Sequence, residues 1–311
     1  MQVVAMIGHY KSANVLLILF LHVSHVAQVA QVRAQSALSD EDAYAALLDR
    51  NTVTDKKHYP YVAAVLKMTS YLSAGAMIKD NWILTAADGL YLVRDSVRLL
   101  RVRLGSVNYK KGGTLVPVKY LRIHPYFDDR RPEYDTALLR LSVPARPSPT
   151  ARPVRLQRKL RPVTAAHFTV TAWAPHYANP KANSDNVHES LETIRRARNL
   201  QVQQVHPRSA ADCQREQQEL GLNASAGLLC LDPLADSDPC RRDAGAPVVL
   251  RGVLWGVVSS WRAAGCGADD GSGASFVNLV AAPDISAWLD AVTRDFHWKL
   301  REINFDDDNF I

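Results

Sequence analysis

The side chains best suited to chemistry are four cysteines and a set of acids lying among small and apolar residues. Cys213, Cys230, Cys240 and Cys266 include no C-x-x-C pair, which argues against a zinc ribbon or a thioredoxin-type redox site. As disulfide partners they allow three connectivities, and spacing alone selects none. Asn223-Ala224-Ser225 is an acceptor sequon for N-glycosylation, usable in a secreted chain. Three ordered segments then stand out. The first is Ser73-Ala74-Gly75-Ala76-Met77-Ile78 followed by Trp82-Ile83-Leu84-Thr85-Ala86-Ala87-Asp88-Gly89. The second is Asp135-Thr136-Ala137-Leu138-Leu139-Arg140-Leu141, and the third is Asp238-Pro239-Cys240-Arg241-Arg242-Asp243-Ala244-Gly245-Ala246-Pro247.

The elements that must position these residues can be read from patterning. The chain has 311 residues, 47% hydrophobic and 8% aromatic, enough for a substantial core and too apolar for a disordered chain. Val15 to Leu21 is an unbroken apolar run behind Lys11, shorter than the roughly 20 residues a membrane helix needs. Val32-Arg33-Ala34 fits a small-x-small cleavage site, so residues 1–34 are expected to be a secretory signal peptide. Its removal takes away Lys11 and Arg33 and lowers the formal charge from +6 to +4. No later run is long enough for a membrane span. Residues 35–57 form a polar lead-in. From His58 onward short apolar stretches recur between Gly, Pro, Asn and Asp, the texture of an all-β barrel or sandwich. One helix is predicted, opened by Pro283 with Asp284 as cap and carrying Ile285, Trp288, Leu289 and Val292 on one stripe. Residues 296–311 are a tail with Asp306-Asp307-Asp308.

In order, the three segments resemble the histidine, aspartate and serine motifs of the chymotrypsin/trypsin family of serine proteases. Tyr59-Pro60-Tyr61, Leu104-Gly105, His124-Pro125, Val170-Thr171-Ala172-Trp173 and Gly256-Val257-Val258-Ser259-Ser260-Trp261 add to the resemblance, which spans about residues 58–295. It implies two six-stranded antiparallel β-barrels with a C-terminal helix and a site in the cleft between the barrels. In such a site a histidine takes a proton from a serine, and an aspartate orients the histidine. By the resemblance, Asp88 stands at the histidine position, Ala244 at the serine position and Asp135 at the orienting position. A carboxylate does not relay protons as imidazole does, and alanine has no nucleophilic atom. Loss of the serine or the histidine alone costs about 10⁶ in turnover in this chemistry.

The resemblance further implies that Arg242 replaces the glycine that supplies an oxyanion-hole amide. Gly245 is retained after the nucleophile position, and Ala246 replaces the next glycine. Asp238 matches the acid that selects basic side chains. Arg262 stands where the pocket wall has glycine and is expected to pair with Asp238. No Ile-Val-Gly-Gly-like activation sequence precedes Tyr59, so Asp243 has no matching amine. Cys213–Cys230 and Cys240–Cys266 match two family disulfides, while a third is missing at both ends, Ser73 and Gly89. No metal or cofactor is expected.

Charge adds one more feature. Residues 94–161 hold 17 Lys/Arg against five Asp/Glu, a local net of +12. In Arg101-Val102-Arg103 alternation puts both arginines on one face of a strand, a surface suited to sulfated glycans or acidic proteins. Nothing in the pattern suggests nucleic acid. The expected protein is a secreted, catalytically inactive homologue that binds extracellular proteins as a cofactor, decoy or scaffold in a protease cascade. Two alternatives are a polyanion-binding adhesion module and an active serine-type endopeptidase drawing on Ser259 or Ser260.

Overall fold

The computed structural model describes residues 51–163, 167–173, 198–223, 225–232, 244–261 and 275–294. The expected signal peptide and the tail at 296–311 lie outside them, as does most of the lead-in. The first barrel is made of β1 (Val62–Lys67), β2 (Ser70–Lys79), β3 (Trp82–Thr85), β4 (Leu100–Leu104), β5 (Thr114–Ile123) and β6 (Ala137–Leu141). Its strand order, β1-β2-β3-β6-β5-β4, closes on itself through antiparallel pairing of β4 with β1. Alternation does the sorting: in β4, Leu100, Val102 and Leu104 point inward while Arg101 and Arg103 are half-exposed. The inward residues meet Val65, Met77, Ile83, Val116 and Leu139 in one dry cluster. Each such side chain buried contributes about 1.5–3 kcal/mol.

After a short β7 (Arg155–Leu156), the second unit is built from β8 (Phe168–Trp173), β9 (Leu200–Val205), β10 (Leu228–Leu231), β11 (Pro247–Leu250), β12 (Val253–Val258) and β13 (Ser275–Leu279). The expected six strands are present in the order β10-β13-β12-β11-β8-β9, with β7 added in parallel to β12. Among the described residues this ring differs from the first in how it closes. Its two ends meet at one bridge, Pro207 with Leu231, flanked by the Arg208 N–H to Cys230 O and Asp232 N–H to His206 O bonds at 2.9 Å each. Proline has no N–H to donate, so a ladder at this seam is interrupted at Pro207. A covalent link stands beside the seam. Helix α2 (Ala210–Glu219), capped by the Ser209 hydroxyl on the Asp212 amide, carries Cys213, which is disulfide-bonded to Cys230 on β10 as expected. Closing a loop with sequence separation 17 contributes about 3 kcal/mol in the chain-entropy account.

Between the barrels a further cluster joins Trp82, Trp173, Leu200, Leu254 and Val257 to the C-terminal helix. That helix, α3 (Pro283–Thr293), buries Ile285 and Leu289 and half-buries Trp288 and Val292, as the stripe predicts. Its cap does not follow the prediction. The N-cap position is Ala282, without a side-chain bond, and Asp284 instead accepts the Tyr134 hydroxyl at 3.0 Å. Competition from a phenol brought in from the first barrel redirects the carboxylate. Among the described residues no helix is long and apolar enough to cross a membrane.

Candidate functional site

Three strand ends converge on Asp135. The chain leaves β3 through the buried Ala86 and Ala87 into a single helical turn, α1 (Asp88–Tyr91). Asp135 lies just before β6, behind Tyr134, which has a positive φ of 59°. Bulky residues rarely take that conformation, and here it accompanies an aspartate turned fully inward. The end of β12 supplies Ser259 and Ser260.

Asp135 is 0% exposed, and its carboxylate accepts five hydrogen bonds. Oδ1 takes the amides of Ala87 at 2.6 Å and Asp88 at 2.9 Å. Oδ2 takes the Ser260 amide at 2.7 Å, the Ser259 hydroxyl at 2.8 Å and the Ser260 hydroxyl at 3.0 Å. Burying an isolated carboxylate is prohibitive, whereas one met by several donors is tolerated. The donors come from both halves of the molecule, so the carboxylate also fastens β12 to the β3–α1 corner. Asp88 is half-buried, and its Oδ2 lies 3.2 Å from the Ser260 hydroxyl. The structure thus brings Asp88 and Asp135 to one serine hydroxyl.

Ala244 is brought to the same corner by backbone contacts. Its carbonyl accepts the Ala74 amide at 3.0 Å, and the next amide, Gly245, donates to Val258 O at 2.8 Å. Gly245 has a φ of +72°, and a Cβ there would fall 2.3 Å from Thr85 Oγ1 and 2.4 Å from Ala74 O. Only glycine fits that corner. Ala246 is fully buried in the second barrel's core. Asp238, Arg242, Asp243 and Arg262, with the expected Cys240–Cys266 bridge and the Arg262–Asp238 pair, lie outside the described residues. Asn223 is exposed just past α2.

The resemblance implies a third disulfide between positions 73 and 89, which hold Ser73 and Gly89 here. Ser73 is buried and its hydroxyl lies 3.0 Å from that of Thr85, which in turn donates to Ala74 O at 2.5 Å. At Gly89 an added Cβ would meet nothing closer than Leu72 O at 4.0 Å.

Among the described residues the corner offers acids and hydroxyls but no imidazole. The Ser259 and Ser260 hydroxyls donate to Asp135, so the described site presents two serines tied to a buried carboxylate. His124 is buried elsewhere, stacked on Tyr134 with ring centroids 4.8 Å apart and edge-on to Trp288. Its Nδ1 accepts the Tyr126 amide at 3.2 Å, and burial lowers its pKa. Beside α1 a cavity of about 610 Å³ is lined by Tyr91, Tyr126, Phe127, Asp128, Asp129 and Tyr134. Among the described residues no cluster of three or more His, Cys, Asp or Glu could hold a metal. Sequence reasoning missed the serines as partners of Asp135 and missed the aromatic cavity. The adjacent Ser259-Ser260 pair before Trp261 was the one available signal.

The family model described as trypsin matches residues 50–280. Trypsin iota of Drosophila melanogaster is 29% identical over 203 residues, covering 65% of this chain and 73% of its own length. Among solved structures, neuropsin, a serine protease of mouse brain, is 21% identical with a TM-score of 0.59, over 78% of this chain and 99% of its own. An inactivated protease paralogue of the scabies mite is 20% identical with a TM-score of 0.60, over 78% of this chain and 97% of its own.

Proposed function

The chain belongs to the trypsin family, and from that premise we propose that it is a secreted, non-catalytic member that acts by binding extracellular proteins, as a cofactor, decoy or scaffold in a protease cascade. One observation carries the reading. Asp88 and Ala244, which the resemblance sets at the family's proton-acceptor and nucleophile positions, both adjoin the corner that keeps Asp135 bonded, and this supports the reading. The acceptor for a serine proton is then a carboxylate that shares a hydroxyl with Asp135, and there is no serine at position 244 to lose one. Binding remains available to such a molecule, because surface loops on a rigid barrel carry recognition independently of chemistry. The scabies mite paralogue, whose name calls it inactivated, is a precedent in fold for a protease scaffold without protease activity.

The test is covalent. A serine-directed fluorophosphonate probe is expected to leave the purified protein unlabelled, and stoichiometric labelling would overturn the reading. The double substitution Asp88→His/Ala244→Ser is expected to stay near background turnover, because Arg242, Arg262 and the missing activation terminus are unchanged. A second reading is favoured by the basic band, where Arg101, Arg103, Lys119 and Arg122 make no ion pair with a described residue. That face suits a sulfated glycan, and heparin retention well above physiological salt would support it.

A further inference from the structure

The basic face of the first barrel lies next to the point where the chain leaves its last helix. Across adjacent strands, Lys79 on β2 is paired with Trp82 on β3, Trp82 with Arg140 on β6, and Arg140 with Tyr120 on β5. With strands about 4.8 Å apart, this row runs about 14 Å from Lys79 to Tyr120. Its side chains lie together. The Arg140 guanidinium donates to the Tyr120 hydroxyl at 2.6 Å and sits 5.7 Å from the Trp82 ring, while Arg122 lies 5.0 Å from the Tyr120 ring. Lys119 and Arg122 are exposed on this ledge, and Arg101 and Arg103 extend it on β4. The arginines bond to backbone carbonyls, Arg101 to Arg98 O and Leu100 O, Arg103 to Tyr109 O, and Arg122 to Leu121 O. Among the described residues no carboxylate faces Arg101, Arg103, Lys119 or Arg122 in an ion pair.

The far end of the row is where α3 terminates. The Lys79 ammonium donates to the carbonyl of Thr293 at 2.7 Å, pinning the last turn of the helix to the edge of the basic face. The chain continues from there with a segment that carries Asp306-Asp307-Asp308. Asp306 lies thirteen positions beyond Thr293, and at about 3.3 Å per step the chain between them reaches about 43 Å, three times the length of the row. Tethering of this kind supplies an effective concentration in the millimolar range, enough to populate contacts that are individually weak.

We infer that Asp306-Asp307-Asp308 docks on the Lys119/Arg122 ledge of the chain's own first barrel, giving the basic face an internal, salt-sensitive counterion. The inference concerns the outer face of β5 and does not depend on the loss of catalysis. It makes any external polyanion a competitor. A face covered about nine-tenths of the time binds such a ligand about tenfold more weakly.

Zero-length carbodiimide coupling of the full chain, followed by peptide mapping, tests it directly. The expected product joins one of Asp306 to Asp308 to Lys119. It is lost in Lys119→Gln and in about 1 M salt, where the screening length is about 3 Å. In a second arm, the full chain carrying D306N, D307N and D308N is expected to bind heparin about tenfold more tightly than the parent. The same three substitutions are expected to lose that effect in a Lys119→Gln/Arg122→Gln background, which separates docking from a change in overall charge. Absence of the Asp–Lys119 product overturns the inference. Equal heparin affinity of parent and D306N/D307N/D308N also overturns it, and leaves the face to external polyanions alone.

Discussion

Asp135 and Asp88 flank one serine hydroxyl, yet they belong to the molecule in different ways. Asp135 is fully buried and takes donors from the β3–α1 corner and from the end of β12. Asp88 is half-buried at the first turn of α1, with its Oδ2 3.2 Å from the same hydroxyl. The backbone around Ala244 repeats the contrast. Gly245 fits a corner that no other residue could occupy, while its neighbour Ala244 carries a methyl group into a half-buried position. Groups that fasten backbone to backbone are in place, and the proposed loss falls on groups whose use would be to move a proton or attack a carbonyl. Such a pattern is expected when a fold is maintained for binding, because a buried carboxylate with several donors costs several kcal/mol to remove.

The largest expected effect breaks the comparison at its centre. Asp135→Ala leaves the Ala87, Asp88 and Ser260 amides and the Ser259 hydroxyl without their acceptor, while the Ser260 hydroxyl keeps Asp88. At about 1–3 kcal/mol for each donor left unsatisfied, a loss of at least about 4 kcal/mol is expected in denaturant unfolding, or failure to fold. Asp88→Ala is expected to cost less than about 1 kcal/mol. Equal losses for the two variants would show that the contrast between them is false.

A second pair of variants sharpens it next door. Gly245→Ala forces a Cβ to within 2.4 Å of Ala74 O at a φ of +72°. Strain of both kinds together is expected to cost about 2–4 kcal/mol. Ala244→Ser, one residue away, is expected to change stability by less than about 1 kcal/mol. The midpoint of urea unfolding reads both, and a Gly245→Ala chain as stable as the parent would mean that the β11 entrance is not fixed by this corner.

Much of this architecture is legible in the sequence because it rests on local patterning. The alternation of Leu100, Val102 and Leu104 with Arg101 and Arg103 assigns the inner and outer faces of β4, and the α3 stripe predicts which residues that helix buries. What escapes the sequence depends on partners far apart. Ser260 meets Asp135 across a separation of 125 positions, and the Ser259-Ser260 pair before Trp261, the one local signal, does not name that partner. Asp284 reads as a helix cap until Tyr134 arrives from the other barrel. The second ring reads as six strands, but its closure by one bridge at Pro207 depends on which strand ends happen to meet. In the candidate site, the motif resemblance singles out Asp88, Asp135 and Ala244, whereas the serine anchoring of Asp135 needs the fold.

Lys56 supplies the opposite case to Asp135 and the smallest effect. It too is buried, but its ammonium donates to the Tyr59 carbonyl and, among the described residues, no carboxylate pairs with it. Burial lowers its pKa from 10.5 to about 7. The unfolded chain therefore holds more protons than the folded one between about pH 7 and 10.5, and stability must rise with pH across that window. The slope is at most about 1.4 kcal/mol per pH unit. Below the window Lys56 is charged in both states and the penalty is fully present. Above about pH 10 the gain is opposed by Tyr61, whose pKa burial raises, because the unfolded chain then loses phenolic protons that the folded chain keeps. Urea unfolding between pH 7.5 and 8.5 is expected to show the rise in the parent and a flat response in Lys56→Met. A parent chain without the rise would mean that Lys56 keeps its charge when buried, and that one carbonyl serves a buried ion as well as the five donors of Asp135 do.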